Sequence, residues 1–128
     1  MTGIPKRCRA NAERTPTLTP DEIKAWLPEV RLWTWSGLQG HSLMRSGFVE
    51  QGYTEASWII ARALAPLFER EGHYADVTVY RYVSDGWHTS LRLSLTTHVD
   101  GPRLTVNDFV MARLIDDVLR TCHGVAPK

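Results

Sequence analysis

Five histidines, His41, His73, His88, His98 and His123, are the side chains in this sequence best suited to moving protons. Imidazole gives or takes a proton near neutral pH, because its ordinary pKa is about 6.5. His73 follows Gly72 just past a helical pattern, where an imidazole also serves as a C-terminal cation. His98 is the second residue of a Thr97-His98 pair at the end of a strand pattern, beside a polar loop. Asp108 lies three residues after Thr105, the spacing of a helix capping box. Trp87 and His88 adjoin a turn, where an aromatic pair can touch a partner protein. The histidines and the two cysteines, Cys8 and Cys122, never reach metal-ligand spacing, so neither a metal site nor a cofactor is expected.

These groups need elements to hold them. Thr19-Pro20-Asp21-Glu22 opens a helix: Thr19 caps it, Pro20 suits its first position and Glu22 completes a capping box. Ile23, Trp26, Leu27 and Val30 then recur at helical spacing. Residues 42–49 read as a strand whose alternation is weak and interrupted by Gly47. A second helix is expected with Thr54 as its cap and Ile60, Ala63, Leu64 and Leu67 buried. Pro66 bends it and Gly72 stops it.

Two alternating strands follow, over residues 76–83 and 89–97, joined by the turn signal Ser84-Asp85-Gly86. Thr105 caps a last helix with Val106, Phe109, Val110, Leu114 and Val118 apolar. Trp26, Trp33, Trp35 and Trp58 are expected in the core. The order predicts an α+β fold, a two-layer sandwich of a four-stranded antiparallel sheet with helices on one face.

The chain has 128 residues, 43% hydrophobic and 23% charged, which suits one domain with one core. Its net charge of +1 supplies no global field toward nucleic acid or anionic lipid, and neither is expected as a partner. No apolar run is long enough to span a membrane, and no secretory signal is expected. Two cysteines without CxxC spacing suit a reducing compartment, so the expected location is cytoplasmic. Residues 1–17, with Arg7, Arg9 and Arg14 and no periodicity, read as a flexible basic leader. The domain is then 18–122, with a short tail at 123–128.

A set of motifs also falls in one order. Residues 18–35 (LTPDEIKAWLPEVRLWTW) form an opening helix running through a Leu-Pro pair to a tryptophan. Phe48, Tyr53 and Ala56 make an aromatic entry to a longer helix that carries Arg62. His73 stands seven residues before Tyr80. Leu93-Ser94-Leu95-Thr96-Thr97-His98 ends a strand, and Leu104-Thr105-Val106-Asn107-Asp108 starts the last helix. Together these resemble the pterin-4a-carbinolamine dehydratase (4a-hydroxytetrahydrobiopterin dehydratase) family. The match needs an insertion in the hairpin, over residues 84–91.

The resemblance implies removal of water from 4a-hydroxytetrahydropterin. A base takes a proton from a ring nitrogen, and an acid protonates the departing hydroxyl. The family pattern has adjacent histidines followed by proline, an acidic residue one helical turn earlier, and a third histidine at a strand end. In the ungapped register His73 is the second histidine, with Gly72 and Tyr74 replacing its neighbours and Phe68 standing where the acid belongs. Shifted by one, Glu69 takes the acidic position and Tyr74 replaces the second histidine. Either register keeps one imidazole of the pair.

The catalytic positions implied are His73, His98 and Asp108, and the pterin contacts are His98, Glu69 and Tyr74; the partner contacts read from the hairpin are Trp87 and His88. With an incomplete set, the expected function is a protein-binding or assembly factor of little or no catalytic activity. A carboxysome-associated branch of the family, which acts in Rubisco assembly, resembles this sequence in kind. The alternative is a working dehydratase that recycles tetrahydropterin for aromatic amino-acid hydroxylation. The resemblance further implies a homodimer or tetramer, a protein client such as Rubisco, and a pterin as ligand.

Overall fold

The computed structural model describes residues 3–10, 14–36, 40–50, 52–98, 101–122 and 125–127. Helix α1 (Pro20–Trp26) starts at the expected capping box: Glu22 N–H donates to Thr19 Oγ1 at 3.2 Å, and Thr19 N–H donates to Glu22 Oε1 at 2.9 Å. A 3-10 turn at Leu27–Val30 follows, because Pro28 has no N–H to continue the α ladder. Strands β1 (Thr34–Ser36) and β2 (Ser42–Val49) then pair antiparallel, Thr34 opposite Met44.

Helix α2 (Tyr53–Ile59), a π turn at Ile60–Leu64 and helix α3 (Ala65–Glu71) follow one another on helical backbone. Pro66 explains the π turn. A proline ring clashes with the carbonyl four residues back, and here the ladder widens instead, with Ala65 N–H donating to Ile60 O. The extra residue shifts the buried stripe, which runs Ala56, Ile59, then Leu64, Leu67 and Phe68. Ile60 and Ala63, expected inside, are therefore only half-buried. The first helical residue is Tyr53, with Gly52 rather than Thr54 at the cap position. Trp58 falls off the stripe and is exposed, with the Arg62 guanidinium 5.1 Å over its ring.

Strands β3 (Asp76–Val83) and β4 (Trp87–Leu95) make a hairpin. Asp85 and Gly86 take positive φ (54° and 105°), and Ser84 N–H donates to Gly86 O at 2.9 Å. Pairing resumes at Trp87 because the turn is this tight, two residues earlier than alternation indicated. The sheet runs β1-β2-β4-β3, the expected four antiparallel strands. A fifth, β5 (Val125–Pro127), falls in the segment expected as a tail and pairs with β2 beside β1.

Leu43, Val49, Leu91, Leu93 and Leu95 point under the helices; Phe48, Tyr80, Tyr82 and His88 occupy the other face. Helix α4 (Val106–Arg120) packs over the core, with Phe109 edge-on to Trp26 at 5.5 Å. Near its end Asp116 Oδ1 accepts from Trp33 Nε1 (2.8 Å) and Arg45 Nη1 (2.5 Å). Burial still pushes that carboxyl up despite both donors.

Every residue from Val106 to Ala112 is buried, more than one face of a helix can bury against a sheet. The leader supplies the other cover. Where described, it is packed rather than loose: Ile4 is in the core, Arg113 Nη2 donates to Pro5 O at 2.8 Å, and Arg103 donates to the Thr15 carbonyl. Its lack of periodicity goes with irregular backbone whose carbonyls dock onto Arg113 and Arg103. Among the described residues, no helix is long and apolar enough to cross a membrane.

Candidate active site

Gly72 ends α3 in the left-handed conformation (φ 68°), with its N–H on Phe68 O at 2.8 Å. That reversal turns the chain so that His73 points back toward the first turn of α4. Asp108 sits in that turn, fully buried, and His73 Nε2 lies 2.7 Å from its Oδ1. Asp108 Oδ2 accepts from Thr105 N–H (2.9 Å) and from Thr97 Oγ1 (3.0 Å). Thr97 and Thr105 hydroxyls are themselves 2.9 Å apart, and Thr97 is pinned by paired backbone bonds to Arg103. One carboxylate thus closes the capping box and orients the imidazole. A carboxylate only accepts, so Nε2 carries the proton and Nδ1 is left as the nitrogen able to take one.

The structure therefore brings together two of the three catalytic positions implied by the resemblance, His73 and Asp108. Thr97 turns inward to Asp108 while His98 is exposed and makes no hydrogen bond to either among the described residues. Glu69 is exposed, and Tyr74 is 61% exposed with its ring edge against Phe68 at 6.1 Å. Phe68 itself is core, so neither register places a carboxylate of α3 at positions 68 or 69 beside the imidazole.

The acidic group that does come near was missed in the sequence. The Glu71 side chain is 1% exposed and accepts from Cys8 N–H (2.9 Å), Arg7 Nε (2.6 Å) and Arg70 Nε (3.1 Å). Burial pushes its carboxyl up, but these three donors and the Arg7 charge outweigh it and hold Glu71 below the ordinary glutamate value. Asn107, beside Asp108, was also missed: its Nδ2 donates to Arg9 O (3.0 Å) and its Oδ1 accepts from Arg9 N–H (2.8 Å). The only available signal was adjacency, Glu71 two residues before His73 and Asn107 one before Asp108. Nothing in the leader announced its docking.

Trp87 and His88 open β4, opposite the far end of β3 and roughly 25 Å away by strand length. Both line a cleft of about 460 Å³ with Phe48, Tyr53, Arg81 and Thr89. Trp87 is 65% exposed, with the Arg81 guanidinium 4.7 Å over its ring. His88 stacks on Tyr82 at 5.5 Å, and its Nε2 bonds Ser84 O at 2.6 Å. Among the described residues, no three His, Cys, Asp or Glu side chains gather where a metal ion could sit.

No curated protein matches the chain. The family profile of pterin 4 alpha carbinolamine dehydratase matches residues 16–118, which takes in His73, Thr97, Thr105 and Asp108 and leaves residues 3–10 ahead of it. With that match over most of its length, and the α+β sandwich beneath it, the chain belongs to the pterin 4 alpha carbinolamine dehydratase family.

Proposed function

We propose that this protein acts chiefly as a protein-binding module on the dehydratase scaffold and is at most a slow dehydratase. The observation carrying the reading is the state of His73. The residue is 7% exposed, Nε2 is committed to Asp108, and among the described residues no second imidazole is hydrogen-bonded to the pair. Dehydration of a 4a-hydroxypterin needs a base and an acid on one substrate, and each positioned group contributes roughly 10²- to 10⁴-fold. One imidazole can fill one of those roles.

The binding surface in this reading is the hairpin tip. Trp87, Tyr53 and Arg81 are the residue types that dominate protein interfaces, and they stand exposed around one cleft. The client we carry forward from the resemblance is Rubisco. The assembly is a homo-oligomer, for which β3, the last strand in the order β1-β2-β4-β3, offers a sheet edge.

A working dehydratase is the second reading, favoured by the His73–Asp108 contact itself, the geometry of an oriented general base. Assay of 4a-hydroxytetrahydropterin dehydration with the wild type, His73→Ala and His98→Ala separates them. Rates near the buffer background for all three support the binding module. A fast wild type that collapses in both variants refutes it.

A further inference from the structure

The segment that passes Asn107 and Glu71, the neighbours of Asp108 and His73, is outside the family match and is held by buried polar groups. Asn107 is buried, and its carboxamide bonds both the N–H and the C=O of Arg9, as a neighbouring strand would. Glu71 accepts the Cys8 N–H and the Arg7 guanidinium. Cys8 Sγ reaches Asn107 O at 3.8 Å. Arg113 holds Pro5 O, and Ile4 is seated in the core. With the segment in place both ends of the enclosed Asn107 carboxamide are satisfied, as buried polar groups in folded proteins are.

We infer that residues 3–9 are a strap docked in cis over His73 and Asp108, and that the groove beneath is built to grip an extended, arginine-bearing chain. The ends of that groove are the C-terminus of α3, which presents Glu71 and His73, and the first turn of α4, which presents Asn107 and Asp108. The strap bridges the two. With it docked His73 is 7% exposed, and in this inference the strap is what keeps a planar ring from Nδ1. The inference rests on reading His73–Asp108 as the family site, and it adds control of access to that site.

Cys8 reports docking. Burial and the Glu71 and Asp108 carboxylates push its thiol up to about 12, against a smaller opposing effect of Arg7. A docked Cys8 is therefore almost wholly protonated at pH 8 and slow to react.

The experiment uses the full chain in a Cys122→Ser background, with the strap as it stands and with Ile4→Asp or Arg9→Pro, both placed in the strap. Cys8 is titrated with a disulfide reagent, and His73 with diethylpyrocarbonate read by peptide mass. Exposed His98 is the internal standard, and circular dichroism checks that the domain remains folded. The expected result is that both Cys8 and His73 react about tenfold faster or more in the variants, with His98 unchanged. Rapid labelling of Cys8 in the unaltered strap overturns docking. Release of Cys8 with His73 still protected overturns control of access.

Dehydratase assay of the same variants keeps the two conclusions apart. Brisk turnover after release refutes the binding-module reading and leaves the strap standing. Background turnover with His73 freely labelled leaves both standing.

Discussion

Asp108 faces two ways: its Oδ1 lies 2.7 Å from Nε2 of His73, while its Oδ2 receives the Thr105 backbone N–H and the Thr97 hydroxyl. A helix cap and an imidazole partner are the same group. The Thr105-x-x-Asp108 spacing indicates the cap, and the same fully buried carboxylate also meets the His73 imidazole.

Removing that carboxylate strips a cap and strands two donors at once. Asp108→Ala should lower stability by about 3 kcal/mol, from roughly 1 for the cap and the remainder for unsatisfied buried groups. Thr105→Ala, which spares the His73 contact, should lower it by about 1 kcal/mol. Urea denaturation of both variants checks the difference; equal losses would mean that the imidazole contact is energetically silent.

Gly72 holds His73 in place through a backbone that other residues resist. Gly72→Ala meets no atom within 4 Å, so the whole penalty is conformational, about 1–2 kcal/mol for a left-handed alanine. Thermal unfolding measures it, and Gly72→Asn should recover part of the loss.

The Glu71 contacts set an acid limit to strap docking. The folded carboxyl is held below its ordinary value of 4.5, so its contribution is present above pH 4.5 and is lost as pH falls through the lower folded value. Hydrogen exchange at the Cys8 and Arg9 amides should therefore stay slow from neutrality down to pH 4.5 and quicken below it. Glu71→Gln should abolish that acid step.

Trp87 should matter to a partner and not to the fold. Trp87→Ala removes a side chain that is already mostly in solvent, so stability should change by less than about 0.5 kcal/mol. Association with a protein client, followed by light scattering or sedimentation, should weaken by about tenfold or more if the hairpin cleft is the docking surface. Unchanged association with Rubisco would remove the hairpin from the interface.

Local signals written into the chain were enough for the elements. The Thr19–Glu22 box, the Ser84-Asp85-Gly86 turn and the alternation of β3 each depend on neighbours a few residues apart. They are legible because capping, turn geometry and pleat are local physics. The phase of the second helix was not, since a π turn forced by Pro66 adds a residue that no 3.6-residue count anticipates.

The candidate site divides in the same manner. The place of His73 just past a helix end was visible from Gly72, and the cap at Asp108 from its distance to Thr105. That these two meet, and that Asn107 and Glu71 grip the leader, are contacts between residues tens of positions apart. Such pairings follow from how α3, α4 and the sheet pack, and burial makes them specific, because a polar group taken out of water must find its partner wherever the fold places one.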